Sequence, residues 1–198
     1  MSSDFFQLAQ EQVRASIRVK QATLEDADLL QAMQKMAGEV VRCLRAGGKV
    51  LLFGNGGSAA DAQHIAAELA GRYRLERSGL PAVALTVNTS TLTAVANDYG
   101  FEHVFARQVQ ALGRRGDVAI GISTSGNAPN VSRGLETAKA AGLISVAMTG
   151  RSGGKLKDIA QYCLRIPSDE TARIQECHIL LGHILCDFVE RELFAAKE

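Results

Sequence analysis

The chain has 198 residues, of which 46% are hydrophobic and 5% aromatic, and its 22 basic and 21 acidic residues leave a net charge of +1. This length suits one domain with a sizeable apolar core. The balanced charge and the scarcity of aromatic side chains argue against binding to nucleic acid or to an anionic membrane surface.

The amino-terminal part of the chain predicts two helices ahead of any strand. Apolar side chains recur at helical spacing over 5–19, and the same spacing predicts a second helix over 24–45. Thr23 is the expected N-cap of the second helix, and Gly47 and Gly48 are expected to end it.

From residue 49 onwards, short apolar segments alternate with helical ones. The predicted strands cover 49–53, 81–85, 117–122, 144–148 and 162–166, and the predicted helices cover 58–72, 90–112, 129–141 and 170–194. Strands that are apolar throughout and alternate with helices indicate a parallel sheet covered on both faces. We therefore predict an α/β fold with a five-stranded parallel sheet. No linker divides the chain, so we expect one domain over 1–198, with its α/β core in 47–198.

Two polar loops each follow a predicted strand and lead into a helix. Loop one covers 54–59 (Gly-Asn-Gly-Gly-Ser-Ala), and loop two covers 123–127 (Ser-Thr-Ser-Gly-Asn). Unpaired amide groups and the helix dipole at such a position favour an anion, and the hydroxyl groups of loop two add neutral donors. Either loop alone is also compatible with a plain turn that ends a strand and caps a helix. Two such loops after separate parallel strands favour a phosphate site.

Loop one also matches a dinucleotide-binding fingerprint, as Gly54-x-Gly56-x-x-Ala59. That site requires an acidic residue at the end of the second strand, but the chain there continues to Asn88 without one. The Walker pattern also fails, because no Gly-Lys-Ser/Thr follows the glycines. The sequence therefore disfavours nicotinamide cofactors and nucleoside triphosphates.

Candidate chemical groups occur on the helix after loop one and on the last helix. His64 and Glu68 are four residues apart, so they share a helix face and can bind one metal ion, pair as base and partner, or form an ordinary surface pair. Asp61 lies one turn before His64 and can orient it. On the last helix, Gln175 and His183 are separated by a rise of about 12 Å. Either these two side chains reach toward each other, or one of them serves a site in another subunit.

The cysteines and the first ten residues bear on the compartment. The amino terminus lacks the basic and apolar pattern of a signal peptide, and no apolar run is long enough to span a membrane. The four cysteines form no Cys-x-x-Cys pair, which predicts reduced and mostly buried thiols in a cytoplasmic protein: Cys43, Cys163, Cys177 and Cys186.

A series of motifs recurs in order over nearly the whole chain and resembles the sugar isomerase (SIS) domain, specifically the sedoheptulose 7-phosphate isomerase branch. The motifs are Gly54-Asn55-Gly56-Gly57-Ser58, Asp61-Ala62-Gln63-His64, Glu68, Gly71-Arg72, Asn97-Asp98, Gly116-Asp117, Ser123-Thr124-Ser125-Gly126-Asn127, Thr149-Gly150 and Arg173-Ile174-Gln175-Glu176. The most specific element is the set His64, Glu68, Gln175 and His183.

The resemblance implies a flavodoxin-like three-layer sandwich and a homotetramer whose active sites are shared between subunits. The amino-terminal helices (1–46) would take part in oligomer packing. One zinc ion per site would be bound by His64, Glu68, Gln175 and His183. Glu68 would be the base at carbon and His183 its acid/base partner.

The resemblance also implies a substrate-binding set drawn from both loops and the helices around them. Its members here are Asn55, Gly56, Gly57, Ser58, Asp61, Glu68, Arg72, Asn97, Asp98, Ser123, Thr124, Ser125 and Gln175. Ala128 departs from the pattern, because some members have serine at this position. Loop two would then bind the phosphate with one hydroxyl donor fewer.

The implied reaction converts sedoheptulose 7-phosphate to glycero-manno-heptose 7-phosphate, which feeds nucleotide-activated heptose for surface polysaccharides such as lipopolysaccharide. Two alternatives share the fold: a relative that binds the bacterial replication initiator, and a sugar-phosphate sensor without catalysis. The initiator-binding relative lacks counterparts of Glu68 and His183, and this chain has both. That difference favours the enzyme.

Overall fold

The computed structural model describes residues 4–194, and a five-stranded parallel sheet lies at its centre. In chain order the strands are β1 (Val50–Gly54), β2 (Ala82–Ala84), β3 (Val118–Ile122), β4 (Ile144–Thr149) and β5 (Tyr162–Arg165). The helices are α1 (Phe5–Glu25), α2 (Ala27–Arg45), α3 (Gly57–Ala70), α4 (Thr89–Tyr99), α5 (Val104–Leu112), α6 (Pro129–Ala140), α7 (Leu156–Ile159) and α8 (Thr171–Phe194). The strand order β2-β1-β3-β4-β5 is the flavodoxin-like order, which confirms the predicted fold class.

Alternation along the strands produces two separate cores. In β1, Val50 and Leu52 face a core formed with α2, α3 and α8, whereas Leu51 and Phe53 face a core formed with α5 and α6. All four side chains are fully buried. A sheet that is covered on both faces in this way needs central strands that are apolar at every position, as β1 and β3 are.

The order of the strands determines where the polar loops meet. β1 pairs with β3, and the last residues of the two strands, Gly54 and Ile122, lie opposite each other. The chain leaves β1 toward β2 on one side, while β3 lies on the other, so a crevice opens at the carboxyl ends of these two strands. Loop one and loop two begin at this crevice.

Three predicted helix boundaries were wrong. The first helix continues to Glu25, so Thr23 lies inside it and donates its hydroxyl to the carbonyl of Val19 at 2.8 Å. Asp26 caps α2 instead, accepting a hydrogen bond from the amide of Leu29 at 2.9 Å. The helix predicted over 90–112 is two helices, because Gly100 has a φ of 92° and breaks the run. The short helix α7 was not predicted.

Helix α1 has a largely uncovered apolar face. Thr23 is its single buried residue, whereas Phe6, Val13, Ile17 and Leu24 are each more than half exposed. Spacings of seven, four and seven residues place these side chains on one stripe. Such a stripe on a well-formed helix is typical of a protein–protein contact.

The cysteines lie within the interior, as predicted: three of the four are buried and Cys163 is half-buried. Burial raises the pKa of the Cys43 thiol to about 11 and that of the Cys186 thiol to about 12. These thiols are therefore poor nucleophiles at neutral pH. Among the described residues, no helix has both the length and the apolar character needed to cross a membrane.

Candidate active site

Both polar loops lead into helices whose N-cap residues form no side-chain hydrogen bond. Helix α3 begins at Gly57, after Gly56 with a φ of 55°, and helix α6 begins at Pro129. In the first turn of α3, the amides of Ser58 and Ala59 donate to backbone carbonyls of loop one, so among the described residues the amide of Gly57 remains available to an anion. In α6, Pro129 has no N–H and the amide of Val131 donates to Oδ1 of Asn130 at 2.9 Å, which leaves the amide of Asn130. Because β1 and β3 are neighbours, the two helix ends lie on the same edge of the sheet.

Loop two is braced by the segment that follows β4. The amide of Gly150 donates to the carbonyl of Thr124 at 2.9 Å, and the amide of Leu156 donates to the carbonyl of Gly126 at 3.1 Å. The side-chain oxygen of Asn127 accepts from the amide of Lys155 at 3.1 Å. These contacts fix the loop before any ligand binds, which favours a preorganised anion site.

A cluster of three side chains forms where α3 packs against α8. The Nε2 atom of His64 lies 3.2 Å from Oε1 of Glu68 and 3.1 Å from Nε2 of His183. All three donor atoms lie within 4.8 Å of one another. His64 and His183 are 119 positions apart in the sequence, so the fold, and not local spacing, brings the second imidazole to the pair.

The donor set of this cluster fits a divalent cation. Nε2 of His64 lies at hydrogen-bond distance from both other atoms, so a proton or a cation must lie between these lone pairs. Two imidazole nitrogens and a carboxylate oxygen are ligands that zinc prefers, at about 2.0–2.1 Å, and in a tetrahedron such ligands lie about 3.3 Å apart. The separations of 3.1 and 3.2 Å are close to that spacing.

Gln175 lies against loop one. An ideal Cβ atom placed on Gly57 would be 2.5 Å from Nε2 of Gln175, so the glycine provides the space in which this amide lies. Gln175 and His183 are both on α8, but their contacts differ: Gln175 packs on loop one and His183 on the cluster. Gln175 as a metal ligand remains a prediction.

Asp61 is a half-buried carboxyl group with an oxygen that lacks a partner. Its Oδ2 atom is buried and forms no hydrogen bond within residues 4–194. Burial raises the pKa of Asp61 to about 6, and the charge of nearby His64 opposes that rise only in part. A buried acceptor without a partner is costly, which suits a group that a ligand hydroxyl satisfies.

A cavity of about 500 Å³ opens beside loop one and the start of α6. Its wall includes Asn55 and Asn130, whose amide groups bond to each other reciprocally at 2.9 and 2.8 Å. Phe101, Glu102 and Arg133 complete much of the remaining wall. The volume is within the range of small-ligand sites.

A SIS domain family model matches residues 12–150. The phosphoheptose isomerase of Aquifex aeolicus is 60% identical over 179 residues, which cover 89% of this chain and 92% of that protein. The chain belongs to the phosphoheptose isomerase family.

Solved structures of family members agree with the fold. A phosphoheptose isomerase from Francisella tularensis superposes with a TM-score of 0.91 at 40% identity, covering 96% of this chain and all of that one. The phosphoheptose isomerase of Neisseria gonorrhoeae gives 0.85 at 48% identity, covering 92% and 98% of the two chains. The predicted family and enzyme class are therefore confirmed.

Within this phosphoheptose isomerase family fold, most predicted substrate residues lie on the two loops or on α3. Ser123 is buried, Thr124 is half-buried and Ser125 is exposed, so loop two presents its hydroxyls at different depths. The Oγ atoms of Ser123 and Ser125 are 3.5 Å apart. Ser58 is buried in the first turn of α3.

Three predicted substrate residues lie apart from the loops. Arg72 is exposed and pairs weakly with Glu76 at 3.7 Å. Asn97 and Asp98 are exposed at the end of α4 and bond to each other at 2.8 Å. In the described part of the chain, none of the three side chains forms a hydrogen bond to either loop. Their roles in substrate binding remain predictions.

Helix α8 carries a second histidine with a different environment. His178 is fully buried, and its Nε2 atom lies 3.2 Å from the carbonyl oxygen of Thr149. Burial lowers the pKa of His178 to about 4. His178 is therefore a neutral group that joins α8 to β4, and His183 is the histidine of α8 that reaches the cluster.

Two residues of the site, Tyr73 and Asn130, were not predicted from the sequence. The Tyr73 ring stacks on the His183 imidazole with centroids 5.7 Å apart and planes at 25°. Asn130 pairs with Asn55 across the crevice. Asn130 follows Pro129 at the start of a helix after loop two, which is a sequence signal for a helix start near a ligand. Tyr73 lies in an irregular segment and has no comparable signal.

The raised pKa of Asp61 predicts a pH-dependent gain in stability for Asp61→Asn. The carboxyl binds its proton more tightly in the folded chain than in the unfolded one, so its stabilising contribution is present at pH 4 and lost as the pH rises through about 6. Asparagine does not ionise, so the variant does not lose this stability as the pH rises. Because solvent screens a half-buried site, we expect a gain of roughly 1 kcal/mol, or about 2–4 °C in melting temperature, at pH 8.

Thermal unfolding of metal-stripped protein at pH 4 and pH 8 measures this gain. At pH 4 the variant and the wild type should unfold at nearly the same temperature. Asp158→Asn, at an exposed position, is the matched control and should show no difference at either pH. A gain of equal size at both pH values would contradict the assignment.

Proposed function

We propose that this chain interconverts D-sedoheptulose 7-phosphate and D-glycero-D-manno-heptose 7-phosphate through an enediol. One observation carries the proposal: a carboxylate and two imidazoles converge where α3 packs against α8, and α3 begins at a polar loop that suits a phosphate. Family membership supports the substrate class, because the relatives described above are named phosphoheptose isomerases.

The proposed chemistry moves one proton between neighbouring carbons. Glu68 removes the proton from C1 of the ketose, and the electron pair forms the C1–C2 double bond of the enediol as O2 gains a proton. Return of a proton to C2, with loss of the proton on O1, gives the aldose. His183 is the acid/base partner that moves protons at the two oxygens.

The two loops would hold the phosphate away from the reacting carbons. Loop two supplies hydroxyls at different depths, Ser58 adds a buried hydroxyl on α3, and the backbone amides of Gly57 and Asn130 add further donors. Binding energy at this remote group positions the chain for reaction. Asp61, with its unpaired buried oxygen, would accept a hydrogen bond from a sugar hydroxyl.

We also propose that the cluster binds one zinc ion per site, through His64, Glu68 and His183, with Gln175 as the fourth ligand. A bound cation would polarise the sugar oxygens and stabilise the negative charge of the enediolate. The spacing of the three donor atoms supports this assignment. Nitrogen and oxygen donors also accept other divalent ions, so zinc is the proposal and not the only candidate.

His64→Ala is expected to abolish stoichiometric metal binding, because it removes the ligand atom that contacts both other members of the cluster. Elemental analysis of protein purified without added metal measures this. His103→Ala is the control, since His103 pairs with Glu102 outside the cluster, and it should retain one ion per chain. Wild-type protein that is fully active without metal would leave the three residues as acid/base groups alone.

We propose a homotetramer whose packing uses α1 and α2. Two features support this: the uncovered apolar stripe of α1, and an apolar groove of about 220 Å³ between α2 and α8. The groove is lined by Leu30, Met33, Gln34, Ala37, Ile184 and Phe188. Light scattering should give four times the chain mass of 21.1 kDa.

The proposal also includes a pathway and a compartment for the reaction. The aldose product would enter the synthesis of nucleotide-activated heptose for surface polysaccharide, as its first step, in the cytoplasm. An initiator-binding protein or a sugar-phosphate sensor has no need for a base and two imidazoles at one point, which favours the enzyme.

Incubation with sedoheptulose 7-phosphate, followed by NMR of the sugar, tests the function directly. We expect aldoheptose signals to appear until equilibrium is reached, and in D₂O we expect deuterium at C2 of the aldose. Heat-denatured protein is the control. No exchange with any heptulose phosphate, together with tight binding of a replication initiator, would overturn the proposal.

A further inference from the structure

A buried ion pair lies next to the candidate active site, between the segment after α3 and the end of α8. The Nε atom of Arg77 is 3.0 Å from Oε1 of Glu190, and both side chains are only 1% exposed. Burial of two charges costs several kcal/mol per ion, and the pair alone is weak evidence for stability. The surrounding hydrogen bonds show what the pair is connected to.

Glu190 binds the backbone of the segment that follows α3. Its two oxygens accept hydrogen bonds from the amides of Tyr73, Arg74 and Leu75 at 2.8, 2.8 and 2.9 Å. Glu190 belongs to α8, two turns beyond His183. One carboxylate therefore ties this segment to the helix that carries His183.

Arg77 binds the carboxyl end of α3. Its guanidinium donates to the carbonyl oxygens of Glu68 at 2.8 Å, Leu69 at 2.8 Å and Gly71 at 2.9 Å. A cation at this end of a helix satisfies carbonyls without intrahelical partners and complements the helix dipole. We call the pair, with these backbone contacts, the Arg77–Glu190 clamp.

The clamp touches the cluster through two residues. The backbone carbonyl of Glu68 accepts a hydrogen bond from Arg77, and its carboxylate contacts His64. The backbone amide of Tyr73 donates a hydrogen bond to Glu190, and its ring stacks on the His183 imidazole. Each side of the cluster, the one on α3 and the one on α8, is thus held by a residue that the clamp holds.

We propose that the Arg77–Glu190 clamp positions the cation-binding cluster, fixing Glu68 directly and the His183 imidazole through the Tyr73 ring. The proposal rests on the proposed use of the cluster as a metal site. Groups that orient metal ligands affect metal affinity although they do not touch the ion. Arg77, Tyr73 and Glu190 are therefore positioning residues and not catalytic ones.

The test measures zinc affinity in folded, metal-stripped protein by competition with a chromophoric chelator. Glu190→Gln keeps the shape of the side chain and removes its charge, and Tyr73→Leu removes the stacked ring while leaving the clamp. We expect each variant to bind zinc about 10- to 100-fold more weakly. Tyr73→Phe keeps the ring and should restore affinity to within about twofold of the wild type.

Asp117→Asn is the control for a general loss of stability. Asp117 is also buried, pairs with Lys49 and accepts backbone amides, but its side-chain hydrogen bonds go to Lys49 and Arg114 and to no residue of the clamp or of the cluster. This variant should melt at a lower temperature and bind zinc normally. A kcat that falls in the clamp variants while KM stays within about twofold would be a second sign of positioning.

The outcomes separate the clamp from the proposed function. Weaker zinc binding in Glu190→Gln and Tyr73→Leu, but not in Asp117→Asn, supports the clamp even if no heptulose phosphate is turned over. Three results would each overturn the clamp. They are normal zinc affinity in Tyr73→Leu, an equal loss of zinc affinity in Asp117→Asn, and a zinc affinity that His64→Ala leaves unchanged. If Glu190→Gln does not fold, Tyr73→Leu decides.

Discussion

Glu68→Gln is expected to lower kcat for sedoheptulose 7-phosphate by ~10² or more. Glutamine keeps the shape of the side chain and can still contact His64, but it cannot take a proton from carbon. The carboxylate oxygen lies 3.2 Å from His64, whose Nε2 atom lies 3.1 Å from that of His183, the proposed partner at the sugar oxygens. Loss of this base leaves the two phosphate loops unchanged.

Steady-state kinetics and metal content must be measured together, because Glu68 is also a proposed zinc ligand. A variant that retains its ion and has a near-normal KM, but has lost kcat, identifies the carboxylate as the base. Glu76→Gln is the matched control: its side chain is 93% exposed and contacts only Arg72 weakly, so its turnover should be normal. Near-normal turnover in Glu68→Gln would refute the role of base.

The fold was largely predictable because the central strands β1 and β3 are apolar and buried at every position. Val50, Leu51, Leu52 and Phe53 are all buried, and only a sheet covered on both faces requires apolar side chains at each of these positions. Helix boundaries were less predictable, since they depend on single residues. Asp26 rather than Thr23 caps α2, because α1 runs on until the chain turns extended at Asp26.

The candidate site was predictable only where its residues are neighbours in sequence. The pairing of His64 with Glu68 follows from helical spacing, and the resemblance to a known family added His183 and Gln175. Three contacts of the site join residues that are 75 to 113 positions apart in the sequence. They are Tyr73 with His183, Asn55 with Asn130, and Arg77 with Glu190. No local pattern encodes such pairs, because tertiary packing creates them.

Gly126→Ala is expected to disrupt loop two far more than an alanine at another left-handed glycine. Gly126 has a φ of 66°, and an added Cβ would overlap the backbone carbonyl of Gly153. Gly116 has a φ of 89° and open space around its Cβ position, so Gly116→Ala carries the conformational cost alone, about 1–2 kcal/mol. Overpacking at Gly126 should add about 1–3 kcal/mol or displace the loop.

Urea unfolding and KM together distinguish these two responses of Gly126→Ala. If the loop stays in place, the free energy of unfolding falls below that of Gly116→Ala. If the loop moves, the hydroxyls of Ser123 and Ser125 move with it and KM rises. Equal stability and equal KM in the two variants would show that the contact with Gly153 does not set the loop.

Gly154→Ala approaches the same contact from the other side, because its Cβ would lie 2.5 Å from the carbonyl of Gly126. If the clash moves loop two, both substitutions should raise KM for the phosphorylated sugar.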